Sequence, residues 1–320
     1  MKTITKIWLI TAASLVIVGS IIFVAVMWQY NWDFSKLNTV KHETNIHKVS
    51  EDFKNLSVKT DVADIILALS DDEECRVECY EEEKAKHSVT VEDDTLVIEV
   101  IDKKQWYDYI GVNFGSSKIT VYLPKVVYIS LSVKESTGDV KIPKEFKFDD
   151  VDISSSTGNV DFVASASGSV KIKTSTGNIL VENTSSGELC LSSSTGSIKA
   201  SNVICNGDIK TDISTGKTNL TDIKCKNLNS TGSTGDIFLN NVIAEEKFHI
   251  VRSTGDITFD SSDAADIFAE TDTGDIAGSL LSEKVFITHT DTGEIDVPKT
   301  TYGGKCEINT DTGDIRLTIK

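Results

Sequence analysis

Proline appears three times and methionine twice in 320 residues, too little proline for a polyproline rod or a proline-rich linker. With 39% apolar residues and twenty glycines, the chain can still bury a core and is globular. Its six cysteines, Cys75, Cys79, Cys190, Cys205, Cys225 and Cys306, form no Cys-x-x-Cys pair. Its five histidines, His42, His47, His87, His249 and His289, fall at no zinc or triad spacing. A zinc finger, a zinc ribbon and a thioredoxin motif are therefore excluded at the level of sequence. Many serines are present but run in ladders without a neighbouring base, so a nucleophilic enzyme has no support. Basic residues are in deficit: with Lys2 and Lys6 set aside, 30 basic side chains face 49 acidic ones, a balance of -19. Such a surface repels phosphate, and nucleic acid is not an expected partner.

Charge is missing altogether from Trp8 to Trp28, a run that as a helix spans the roughly 30 Å hydrocarbon core of a bilayer. Residues 7–28 are expected to be an uncleaved transmembrane signal anchor in contact with lipid, because the run exceeds a signal-peptide core and only Val24-Ala25-Val26 approaches a cleavage site. Lys2 and Lys6 precede it, and Trp28, Tyr30 and Trp32 follow. By the positive-inside rule, residues 1–6 are cytoplasmic and the C-terminal body is extracytoplasmic at the cell membrane. Residues 29–45 read as a polar tether.

What the chain has in abundance is one turn. Gly138, Gly158, Gly177, Gly196, Gly216, Gly235, Gly255, Gly274, Gly293 and Gly313 follow one another at 19 or 20 residues, and Thr precedes every one. Thr137, Thr157, Thr234, Thr254, Thr273, Thr292 and Thr312 are among these corner residues, preceded by Ser in the first seven turns and Asp in the last three. Seven residues before the glycine stands an apolar column from Leu131 to Cys306, and two after it an unbroken β-branched one from Val140 to Ile315. These columns alternate with polar positions at period two, which marks half-buried strands. A second corner falls six residues past the glycine, at Asn183, Asn202, Asp222, Asn241 and Ser261. Residues 131–320 are thus expected to be an all-β, parallel β-solenoid with coils of 19–20 residues and two or three faces.

The glycine supplies a positive φ at a tight corner. Carried through to the position before the glycine, the alternation places the Thr column inside the corner, which excludes a flat ice-binding face. Residues 46–130 hold six strand-like runs without the repeat, either irregular early coils or a small β cap that covers the first edge.

An apolar anchor, an irregular β segment ending in Ile119-Thr-Val-Tyr-Leu-Pro124, and serial copies such as Ser233–Ile237 and Ser253–Ile257 resemble the bacterial putative-adhesin family of β-strand-repeat proteins of unknown function. That family includes members encoded beside Lia-type cell-envelope stress systems. The resemblance implies an extracytoplasmic β-solenoid and brings no catalytic residues.

Asp272 and Asp275, Asp291 and Glu294, and Asp311 and Asp314 flank the last three Thr-Gly corners, giving two carboxylate columns about 4.8 Å per step. Calcium would relieve their repulsion, and solvated turn residues are the plainer alternative. No other cofactor is expected. Cys205 and Cys225 fall in one column of adjacent coils, within disulfide reach. Cys190 is read as an outward, free thiol. The final coil, ending at Arg316–Lys320, is expected to form an open edge that charge protects or a partner strand covers.

These features point to a non-enzymatic, membrane-anchored cell-surface scaffold that binds an unknown envelope component or protein. Two alternatives are an accessory or sensor protein of an envelope-stress response and a polysaccharide-active enzyme, for which Phe286 and Tyr302 near the acidic corners are the one hint.

Overall fold

The computed structural model describes residues 3–34, 40–109 and 115–320. Lys2 of the positive flank and residues 35–39 of the expected tether lie outside these. Helix α1 (Thr3–Gln29) contains the expected span and is long and apolar enough to cross a membrane.

The repeat region folds as a three-sided coil, stacked in parallel. In the Gly196 coil the first side is Glu188–Thr195; the strand Ile198–Cys205 then bends at Asn202 to supply the other two. The bend exists because Asn202 adopts φ 52°, and Asn183, Asp222, Asn241 and Ser261 take φ of 51–53° at the equivalent positions. Short polar side chains tolerate this left-handed conformation. They also stack: the Asn202 amide donates to Asn183 Oδ1 at 2.7 Å, and Asn241 donates to Asp222 at 2.7 Å. All three sides pair with the next coil, as in Leu189↔Ile209, Ile198↔Thr218 and Val203↔Ile223. Three faces, not two, are therefore present, and inward residues such as Leu189, Ile198 and Val203 are at most 1% exposed.

Seven strands precede the repeats: β1 (His42–Val49), β2 (Asn55–Val62), β3 (Asp64–Leu69), β4 (Cys75–Glu82), β5 (Ala85–Glu92), β6 (Thr95–Asp102) and β7 (Lys118–Leu123). β1 begins inside the segment expected as tether. Both readings of this region hold in part. β2 and β3 are a true first coil, pairing in parallel with Val127–Thr137 and with Val140–Ile142. The rest is a cap: β6 and β7 extend the two sheets, and β5, β4 and β1 close them antiparallel. Antiparallel closure ends the parallel ladder on hairpins instead of on a bare coil.

At the far end the coils do not stack in chain order. Asp266–Thr273 pairs with Gly304–Thr312, and that strand pairs on its other edge with Lys284–Thr292. The second face repeats the arrangement: Ile276–Leu280, then Ile315–Ile319, then Ile295–Asp296. The last segment of the chain is thus inserted one coil inward. The final coil, expected to form the open edge, is interior, and the terminal coil is Lys284–Asp296.

Candidate functional site

At the Thr-Gly corner, Gly158 has φ +148°, and a Cβ there would lie 1.7 Å from the Gly138 carbonyl oxygen. Both conformation and close approach therefore demand glycine. The expected inward threonine is overturned: all ten Thr residues before these glycines are exposed. Alternation fails because the ladder skips one residue. Ser155 pairs with Thr174 and Thr157 with Thr176, leaving Ser156 at the bend, so the two positions before the glycine both turn outward. The hydroxyl inside the corner belongs instead to the residue three before the glycine. Ser193 donates to the Gly177 carbonyl at 3.1 Å, Thr271 to Gly255 at 3.0 Å and Thr310 to Gly274 at 3.0 Å. The ground on which an ice-binding face was excluded is removed, although the exposed Thr column runs along a corner and not a flat sheet.

Four members of that inner column lack the hydroxyl: Ile213, Gly232 and two charged residues, Glu135 and Arg252. Glu135 is 6% exposed and faces the Ser155 hydroxyl, which offsets only part of its burial. Burial, with Asp64 and Asp139 adding repulsion, pushes it up to about 7. Arg252, 1% exposed, bonds Ser230 Oγ at 2.9 Å and the Val251 carbonyl at 2.9 Å. Burial pulls its guanidinium down to about 10. Gly232 leaves room for it: a Cβ there would meet Arg252 Nη1 at 3.0 Å.

The acidic columns form in the order Asp272/Asp275, Asp311/Asp314, Asp291/Glu294, which the coil insertion imposes. Two of the three carboxylates after the glycine are already engaged. Asp275 Oδ1 accepts the Asp314 N–H at 2.8 Å, and Asp314 Oδ1 accepts the Glu294 N–H at 2.8 Å. The same ladder runs from Asp64 to Asp139 and on to Asn159 and Asn178. Among the described residues, the one group of three Cys, His or acidic side chains with ligand atoms within 4.8 Å of one another lies elsewhere, in the cap.

That group is Cys79, Glu81 and His87, exposed by 0%, 1% and 5%. β4 turns Cys75, Val77, Cys79 and Glu81 inward in alternation, and the turn to β5 brings His87 back onto them. His87 Nδ1 lies 2.7 Å from Glu81 Oε2, which also accepts the His87 backbone N–H at 2.6 Å. Asn45 donates to Glu81 Oε1 at 2.8 Å, and Thr60 Oγ1 is 2.9 Å from His87 Nε2. Burial, with Glu81 and Glu78 adding negative charge, pushes the Cys79 thiol up to about 12. Spacing rules miss this cluster because it closes across a hairpin. The visible signal was Glu81 itself, a carboxylate in an inward column where a hydrophobe is due.

Cys205 and Cys225 follow the Ile204↔Lys224 pair in one column, as the register requires, and both are buried free thiols. Cys190 is partly exposed on an outward face, between Lys171 and Lys210.

The terminal coil differs from all others in its exposure. Ile295 is 45% exposed, whereas its column neighbours Ile276 and Ile315 are 0%. Val285 and Ile287 are exposed at 36% and 51%, and Phe286 is half-buried at the end of an otherwise buried column. Asp291, Glu294 and Asp296 stand exposed along the same edge.

No curated protein matches the chain. Three solved structures are similar in outline. A protein named a putative lipid binding protein, from Parabacteroides distasonis, is 18% identical, with a TM-score of 0.49 over 75% of this chain and 98% of its own. One named a putative adhesin, from Parabacteroides merdae, is 15% identical, with a TM-score of 0.47 over 88% and 98%. Another putative adhesin, from Parabacteroides distasonis, is 14% identical, with a TM-score of 0.45 over 85% and 98%. Two stretches, residues 53–212 and 206–320, match one family model, so the coils and the capping region except β1 fall within it, and the chain belongs to the Toastrack DUF4097 family.

Proposed function

We propose that the protein is a non-enzymatic, membrane-anchored, extracytoplasmic scaffold that binds a partner strand at its open terminal coil. Ile295 carries this reading: a side chain of a core column stands 45% exposed because no further coil covers it. Beside it runs the free edge of Lys284–Thr292, with backbone groups available for strand addition. The occupant is an extended protein segment, apolar on its inner face and basic on its outer one, because Asp291, Glu294 and Asp296 line the edge. A second copy of this acidic chain would meet the same carboxylates and be repelled. The anchor enters the body at the capped end, through β1, so the open coil faces away from the attachment point.

Hydrogen exchange of the full chain in detergent, with a synthetic nine-residue peptide alternating valine and lysine, tests this. Protection confined to residues 284–296, lost in high salt and absent with a valine–glutamate peptide, is expected. Protection elsewhere, none at all, or protection that grows with protein concentration without peptide would reject the proposed occupant. Thr288→Lys, which points a charge into the coil from the edge strand, should abolish the effect.

A further inference from the structure

We infer that Cys79, Glu81 and His87 form a buried binding site for a thiophilic divalent cation, zinc being the best match to the ligand set. Thiolate, carboxylate and imidazole are the three side-chain types zinc takes, in tetrahedral geometry with bonds of roughly 2.0–2.3 Å. Such geometry sets neighbouring ligand atoms about 3.3–3.6 Å apart. The three ligand atoms here lie within 4.8 Å of one another, so the site closes with small movements. The contact between Glu81 Oε2 and His87 Nδ1, now 2.7 Å, opens by about half an ångström to admit the ion.

A second observation points the same way. Zinc sites characteristically hold their ligands from behind: the free ring nitrogen of the histidine and the second carboxylate oxygen each take a partner. Thr60 is 2.9 Å from His87 Nε2, and Asn45 donates to Glu81 Oε1 at 2.8 Å. Strands β1, β2, β4 and β5 thus all contribute, and the fourth position is left for water. The charges balance as well. Thiolate and carboxylate together neutralise a divalent cation. Binding releases the Cys79 thiol proton to solvent. Affinity therefore falls as pH falls. The consequence for the fold is a clip across the cap, next to the membrane-proximal end.

The test uses the full chain in detergent, stripped with chelator and titrated with cobalt(II) and then zinc. One equivalent of cobalt should bind with a thiolate-to-metal charge-transfer band, and zinc should displace it and raise the melting temperature. Cys79→Ser should remove the band while the far-ultraviolet spectrum stays native, and Cys190→Ser should leave it unchanged. Thr60→Val and Asn45→Ala should weaken binding by roughly 10 to 100-fold. Absence of a charge-transfer band in the wild-type chain, or a band that survives Cys79→Ser, would overturn the assignment.

Discussion

The two ends of the solenoid solve one problem in opposite ways. At the N-terminal end the parallel ladder meets β4, β5 and β1 running antiparallel, and the inward residues Leu56, Val58, Ile65 and Leu67 are at most 1% exposed. At the other end Lys284–Asp296 pairs on one edge alone among the described residues, and residues of the same columns are exposed by up to half. One end is closed by antiparallel strands, the other ends on a parallel strand. The difference also teaches that identical coils are interchangeable: the last segment stacks inward of its predecessor at no loss of register, because both carry the same Asp-Thr-Gly corner.

The contrast can be broken first at the corners. Gly158→Ala, inside the stack, should lower stability by roughly 3 kcal/mol, combining a disallowed backbone with a clash against the Gly138 carbonyl. Gly293→Ala also meets a carbonyl, that of Gly313, at 2.0 Å. At the open end the coil can lift away, so the loss should be nearer 1 kcal/mol. Urea unfolding of the full chain in detergent, followed by circular dichroism, measures both; equal losses would mean that the terminal coil is as firmly held as the middle.

Next comes acidity at the capped end. Glu135 has a folded value raised to about 7 from 4.5. A raised value means that the folded state holds the proton longer, so its stabilising contribution is complete below 4.5 and is lost as pH rises to 7. Discounted for partial solvent screening, the loss is about 2 kcal/mol. Glu135→Gln should match wild type at pH 5 and melt at higher temperature at pH 8; the same offset at both values would remove Glu135 as the cause.

Arg252 sits mid-stack with no ion pair among the described residues and only the field of Asp212 in its favour, so Arg252→Met should stabilise the chain by about 1–2 kcal/mol without altering either end. A loss would show that its bonds to Ser230 and Val251 outweigh desolvation.

The smallest effect is chemical. Under native alkylation followed by mass spectrometry, Cys190 should react first. Among the buried thiols, Cys306, one coil from the open end, should precede Cys79 in the cap. Under oxidant, a loss of about 2 Da would report a Cys205–Cys225 bridge.

Much of this was legible in the sequence. The glycine column, the second corner at Asn183 and its equivalents, and the apolar columns follow from local chemistry repeated at fixed spacing. The unread parts are those in which locality fails. Thr157 faces outward because one ladder position is skipped at Ser156, and alternation has no memory of a skip. Coil order was hidden because Lys284–Thr292 and Gly304–Thr312 are equivalent as strands. His87 reaches Glu81 only through a hairpin, so no linear spacing announces it.

Coil-by-coil hydrogen exchange of the full chain tests the central claim, that the stack is capped at one end and open at Lys284–Asp296. Amides of residues 284–296 should exchange first, ahead of both residues 304–319 and β2–β3. Fastest exchange at residues 304–319, with 284–296 protected, would contradict the inserted order and place the open edge at the end of the chain.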